Sequence, residues 1–350
     1  MKKGLKLLIF TIFIVFLTGC GITRSDDVIG NFEKKLNKSN SYYIEGLMQI
    51  INNEDTYDYE VKVSYKKDDY YKIELINKLN NHEQVILRND DGVYVITPSL
   101  NKSFKFQSDW PYNNSQVYLL NSVLEDLKTD EERTFKTIDN GYVFTSKVHY
   151  PNNKMLKKQN VYINKDSKIN KVEVVDNDNN VLISMTYQKQ EFDKKFDDNY
   201  FELNSIIKNN TNTIDNNNNK NNQENNTIEK SNTEETLSIK DVIYPMYLPE
   251  NTYLTGQDRI NTDTGERLIL TFGGVNSFVL VDETISSSDN NLVIPVTGNF
   301  DFLSDVIGVI STNSVMWQSN GIEYYLTSNT MDSSTLVEIA RSISVLPVSK

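Results

Sequence analysis

Cysteine is almost absent from this chain: Cys20 is the only one in 350 residues. No disulfide can close within the chain, and no cysteine-rich metal site can be built. Histidine is nearly as scarce, with His82 and His149 alone, and no HExxH-type spacing accompanies them. His82 follows two asparagines in a polar turn, and His149 ends a strand pattern before Pro151, so both read as ordinary surface or sheet residues. Positive charge is short as well. The chain carries 36 Lys and Arg against 48 Asp and Glu, a formal charge of −12. Phosphate backbones demand clustered cations, so nucleic acid is excluded as a partner. Long apolar runs are also missing. Residues 7–17 are apolar except for Thr11, well short of the ~20 residues of a membrane span.

That short run has a specific setting. Lys2, Lys3 and Lys6 precede it, and Leu17-Thr18-Gly19-Cys20 follows. A basic start, a short apolar stretch and small residues at the cut describe a signal peptide over residues 1–19. The cysteine directly after the small residues resembles the bacterial lipobox. That resemblance implies cleavage before Cys20 and diacylation of its thiol, with the protein held on the outer face of the cytoplasmic membrane. Losing the three lysines takes the charge from −12 to −15. Anionic lipid heads repel such a surface, so the acyl chains would have to hold the protein, and two suffice where one is marginal.

A composition break divides what remains. Residues 205–237 are dominated by Asn with Thr, Lys and Glu, and no aromatic occurs among them. Such a stretch cannot bury enough surface to offset its ordering entropy and reads as a disordered linker. The expected units are therefore residues 20–204 and residues 238–350.

The first unit reads as mostly strand. Tyr57, Tyr59, Val61, Val63 and Tyr65 alternate with polar residues, the mark of a half-buried strand. Tyr71, Ile73 and Leu75 continue the pattern. Asp90-Asp91-Gly92 and Asp139-Asn140-Gly141 are turn signals. Val28, Ile29, Phe32 and Leu36 predict one helix, and Val117, Leu120, Leu124 and Leu127 a second. The order helix, strands, helix, strands predicts an α+β fold: a strongly curved antiparallel sheet with helices on its concave side. The second unit reads as a smaller α+β domain. Strands are expected near residues 267–272, 277–281 and 292–296, with a hairpin at Ser319-Asn320-Gly321. A last helix carries Leu336, Ile339, Ala340 and Ile343, capped by Asp332 or Ser333.

Catalytic chemistry finds little support. Residues 176–180 invite calcium, but an EF-hand needs Gly at position six and Glu at twelve, where Val181 and Tyr187 stand. A hairpin turn explains them better. The acidic pairs Asp197-Asp198 and Glu131-Glu132 lie in polar segments, and adjacent strand residues face opposite ways. No Gly-x-Ser-x-Gly elbow appears. The reading is a binding protein with no cofactor and no metal. Its candidate partner-binding cluster is Trp110-Pro111-Tyr112, which either packs beneath the following helix or stands exposed as an interface anchor. Tyr57, Tyr59 and Tyr65 either fill the concave core or line a pocket.

Residues 20–203 resemble the superfamily of lipoprotein carriers and their relatives, the LolA, LolB and RseB fold, a half-barrel. In this resemblance Tyr200-Phe201-Glu202-Leu203 stands where the family has its closing strand. Asp109-Trp110-Pro111-Tyr112-Asn113, leading into Gln116-Val117-Tyr118-Leu119-Leu120, is similar to the GerS-like germination lipoproteins of clostridia. So is Pro151-Asn152-Asn153 through Lys158-Gln159-Asn160-Val161-Tyr162. From Ile243 onward, Pro245…Leu248-Pro249-Glu250, Trp317…Asn320-Gly321 and Ile339-Ala340-Arg341-Ser342 resemble the small domain of RseB-like and sporulation lipoproteins. GerS-like proteins are single-domain, so the extra unit departs from that pattern. The likeness implies a role in sporulation or germination beside a cell-wall amidase at the cell or forespore membrane, or regulation of envelope signalling. The carrier likeness implies the alternative, acyl chains bound in the concave pocket.

Overall fold

The computed structural model describes residues 24–343 except 53–54, 113, 208–238, 240–241, 264 and 286–291. Cys20 and most of the Asn-rich segment lie outside the described residues. Helix α1 (Ser25–Lys38) opens the first unit. Asp26 and Asp27 in its first turn and Lys35 and Lys38 in its last complement the helix dipole. Strands β1 (Ser41–Asn52), β2 (Asp55–Lys66), β3 (Tyr70–Asn77), β4 (Glu83–Asn89), β5 (Gly92–Thr97) and β6 (Lys102–Phe106) follow as a meander. Helix α2 (Leu120–Thr129) interrupts it. Strands β7 (Thr134–Ile138), β8 (Gly141–Lys147), β9 (Lys158–Asn164), β10 (Ile169–Val175) and β11 (Val181–Phe192) complete it.

Because β11 returns to pair with β1, the meander becomes one continuous antiparallel sheet, ordered β6-β5-β4-β3-β2-β1-β11-β10-β9-β8-β7. The register slips at Glu45/Gly46, a bulge of the kind that bends a strand. Gly46 is required there, since a Cβ would stand 2.5 Å from the Thr186 carbonyl oxygen. The apolar stripes of both helices, Val28, Ile29, Phe32 and Leu36 with Leu120, Val123, Leu124 and Leu127, close over the concave face. Residues 176–180 form the turn that the sequence predicts. Asp176 Oδ1 accepts from the Asp178 and Asn180 amides at 2.9 and 2.8 Å.

Two expectations are corrected. Tyr200–Leu203 is not a strand: residues 198–201 turn, and residues 203–207 make a helical turn that takes in the first residues of the Asn-rich segment. Its cause lies in β4 and β5, which are apolar on both faces. Phe201, Ile206 and Ile207 pack on Val85, Leu87, Tyr94 and Ile96, covering the outer face. The second correction concerns the 292–296 strand, expected within the second unit. It is β15 (Leu292–Val296), and it pairs parallel with β6, extending the first sheet to twelve strands.

The second unit is a seven-stranded antiparallel sheet of β12 (Thr252–Thr262), β13 (Gly265–Gly274), β14 (Phe278–Thr284), β16 (Asn299–Phe302), β17 (Ile307–Ile310), β18 (Ser314–Ser319) and β19 (Ile322–Thr327). Their spatial order is β12-β13-β14-β19-β18-β17-β16. Helix α3 (Ser333–Arg341) covers one face, capped as predicted by Asp332, whose Oδ1 accepts the Thr335 amide at 2.9 Å. Trp317 stacks on Tyr324 at 4.8 Å within this core.

Asp282 is buried beside that stack, and burial pushes its carboxyl up to about 7. Asp126 of α2 is also raised to about 7 by burial, and Asp301 is raised by burial as well. Such acids bind more protons folded than unfolded. Their stabilisation is complete below the unfolded carboxylate pKa near 4 and is lost as pH rises through the folded value. Melting temperature should therefore fall from pH 5.5 to pH 8. Asp282→Asn should flatten that slope and raise the pH 8 value by at least ~2 °C, the effect of about 1 kcal/mol. A pH series by scanning calorimetry that leaves the variant and wild type parallel would refute the assignment.

Candidate functional site

The inward-facing tyrosines of β1, β2 and β3 meet across the sheet because their registers align Tyr42 with Tyr65 and Tyr65 with Tyr71. Their rings stand 4.7 and 4.9 Å apart. The series continues through Trp110, 5.6 Å from Tyr71, to Phe300 of β16, also 5.6 Å away. Phe300 then meets Phe106 at 5.3 Å. Trp110 is only 1% exposed, so its bulk lies in the core beneath the loop it heads. Tyr59 is buried against Phe302 at 6.0 Å, and its hydroxyl donates to the Ser304 carbonyl at 3.2 Å. Tyr57 and Tyr65 are half-buried at the margins of the same cluster. What remains between Met48, Ile50, Tyr118, Tyr150, Ile183 and Phe302 is a cavity of about 20 Å³. That is room for about one water molecule. Between these described residues the concave face is filled by the protein's own side chains.

An open groove of about 500 Å³ lies beside the Trp110 loop, between the C-terminal half of α1, the length of α2 from Asn121 to Lys128, and residues 111, 112, 114 and 115. Pro111, reached through a cis peptide bond, is buried at its edge. Tyr112 is 64% exposed beside it. The Tyr112 ring is held from two sides. Its hydroxyl donates to Asp69, and the Arg88 guanidinium lies 5.5 Å from its centre. Partial burial and the Asp69 hydrogen bond push the phenol up to about 12. Arg88 also donates to the Trp110 carbonyl and pairs with Asp69 at 3.5 Å, so one cation fixes the whole turn.

One polar network in the groove is preorganised. Asp126 accepts from Ser115 Oγ and Gln159 Nε2, both at 3.0 Å. Ser115 Oγ in turn accepts the His149 amide at 2.8 Å. Lys128 and Glu33 pair at 2.7 Å along one wall, joining the two helices. These contacts hold residues 115, 126 and 149 in fixed positions, which is what a binding surface needs. Among the described residues, no group of three or more His, Cys, Asp or Glu is placed to hold a metal ion. No helix among them is long and apolar enough to cross a membrane.

Residues 2–201 match the family of sporulation proteins described as YdcC-like. The chain is also 32% identical over 343 residues to the sporulation protein YdcC of Bacillus subtilis (strain 168), spanning 98% of this chain and 97% of that protein. The chain belongs to the YdcC-like family of sporulation proteins. Solved structures with distant likeness include the Pseudomonas aeruginosa MucA/MucB complex, 11% identical over 90% of this chain and 98% of that one, TM-score 0.32. The complex of the CwlD amidase with the GerS lipoprotein from Clostridioides difficile is 20% identical over 51% of this chain and 98% of that one, TM-score 0.27.

In this YdcC-like chain the structure brings together residues that sequence reasoning left apart. Trp110, Tyr65 and Tyr59 belong to one interior, while Pro111 and Tyr112 face a separate groove. The contribution of Phe300, Phe302 and residues 304–307 to the first unit was not foreseen. The alternation Phe300-Asp301-Phe302 signals a strand, but no local pattern says against which sheet its rings will pack.

Proposed function

We propose that this YdcC-like protein is a membrane-anchored, non-catalytic lipoprotein that binds a protein partner during sporulation, through the groove edged by Pro111 and Tyr112. The observation that carries the reading is the contrast between the two concavities. The one that would hold acyl chains is closed to about 20 Å³, whereas the groove beside Tyr112 is open at about 500 Å³. An exposed tyrosine held rigid beside proline is the residue type enriched at interface hot spots. Anchoring through Cys20 at the outer face of the cytoplasmic or forespore membrane rests on the lipobox-like residues 17–20. The partner is a wall-processing enzyme such as an amidase, or an envelope signalling protein. Both meet this surface outside the membrane.

One fractionation experiment with fatty-acid labelling tests both parts. Cys20→Ala should leave the protein uncleaved or release it from diacyl anchoring, and in either case should abolish incorporation of a fatty-acid analogue. Tyr112→Ala should stay on the membrane yet recover its partner poorly. Truncating a hot-spot residue costs about 2 kcal/mol or more, roughly 30-fold in affinity. Undiminished partner recovery by Tyr112→Ala would remove the groove from the mechanism. Fatty acid extracted with the purified soluble protein would favour the carrier alternative.

A further inference from the structure

Among the contacts between the first unit and the second, one set reaches main-chain atoms of a single short segment, residues 304–307. Tyr59 donates to the Ser304 carbonyl at 3.2 Å. Asn77 Nδ2 donates to the Asp305 carbonyl at 3.3 Å. Gln84 grips Ile307 from both sides: its Nε2 donates to the Ile307 carbonyl at 3.2 Å, and its Oε1 accepts the Ile307 amide at 2.6 Å. Tyr59, Asn77 and Gln84 are all buried. Residues 304–306 bend between β16 and β17, with the Leu303 amide donating to the Val306 carbonyl at 2.9 Å, so these buried polar side chains recognise the main chain of a turn whatever its side chains. Side-chain selection is added by Phe300 and Phe302, whose rings enter the aromatic cluster at Trp110, Phe106, Tyr59 and Tyr118. Beside them β15 lies parallel along β6 at the sheet edge, with Leu292 49% and Val293 37% exposed and β6 its single neighbour among the described strands.

We infer that the cleft of the first unit is a peptide-recognition groove, held shut in cis by residues 292–307, and that it takes a polypeptide turn preceded by two aromatic residues spaced as Phe-x-Phe. A fatty acyl chain cannot satisfy Gln84, which needs an amide to accept from as well as a carbonyl to donate to. The second unit is thus a built-in competitor, and the cleft opens when its hairpin withdraws. The inference rests on the protein-binding reading but concerns another surface. Tyr112→Ala should leave peptide binding unchanged, so the two readings fail separately.

The test uses the full chain carrying Cys20→Ser and a fluorescein-labelled peptide of residues 299–308. Tethering keeps the cis segment at an effective concentration on the order of millimolar, so wild type should bind the peptide weakly. The double variant Phe300→Ala and Phe302→Ala, folded by circular dichroism, should bind at least about tenfold more tightly, since each lost ring weakens the competitor. Adding Gln84→Ala, or methylating the peptide nitrogen at Ile307, should remove that gain. If the double variant does not fold, Ile294→Ser with Val296→Ser loosens β15 instead and is held to the same criteria. A folded, loosened chain that ignores the peptide overturns the inference. So does binding indifferent to Gln84, or uptake of a dansylated fatty acid in place of the peptide.

Discussion

Trp110→Ala should cost about 3–5 kcal/mol of stability, the usual loss for a large aromatic removed from a core. The indole is 1% exposed and stands between Tyr71 and Phe300 at 5.6 Å each. Truncation would leave a void that neither strand can close, since both rings are fixed by sheets of different units. Melting temperature should fall by on the order of 10 °C. Trp110→Phe should recover most of the loss. The indole nitrogen has no hydrogen-bond partner among the described residues, so only ring volume is missing. Differential scanning calorimetry of the two variants decides the matter. An alanine variant melting within about 1 °C of wild type would return the residue to the surface role.

Arg341→Ala should loosen the junction between the units with a cost of about 3 kcal/mol or more. The side chain leaves the last turn of α3 and enters a nearly dry junction. Its Nη2 and Nε donate to the Phe302 carbonyl at 2.8 and 3.3 Å, and Nη1 donates to the Asn152 carbonyl of the first unit at 3.3 Å. Asp301 Oδ2 lies 3.9 Å away and also accepts from Asn152 Nδ2 at 3.3 Å. Each orphaned buried acceptor costs about 1–3 kcal/mol, and an unpaired buried charge adds to that. Lysine cannot reproduce the forked donation, so Arg341→Lys should rescue only in part. Native-state hydrogen exchange should quicken across β15, β16 and β17 while α1 keeps its protection. Uniform exchange across both units would mean that the junction is not held by this node.

Much of the architecture was legible in the residues. The Tyr57-to-Tyr65 alternation gave β2, because a period of two leaves one face for the core. Val28, Ile29, Phe32 and Leu36 gave α1 in the same way, and Asp332 marked the start of α3 because its carboxylate can meet an unpaired amide. Turn chemistry at Asp90-Asp91-Gly92 placed a hairpin where only two residues separate β4 from β5. The sites were less legible. Trp110, Pro111 and Tyr112 are adjacent in sequence, and nothing local says that the first turns inward and the third outward. That division is made by Arg88, from another strand, which binds the Trp110 carbonyl and faces the Tyr112 ring.

By itself the sequence determined α1, β2, α3 and the hairpin between β4 and β5, and which of their faces must be buried. It also determined a net charge of −12. These follow from local periodicity, capping and net charge, all of which act over a few residues or need no geometry. Tertiary structure alone decided that β15 leaves its own unit for the edge of β6, that Phe300 and Phe302 fill the cleft of the first unit, and that Gln84 and Arg341 hold them there. The partners in those contacts across the two units are separated by about 180 to 240 positions. Their meeting depends on which surfaces are complementary once both sheets exist, and hydrophobic burial, being non-directional, leaves no mark of its partner in the chain that carries it.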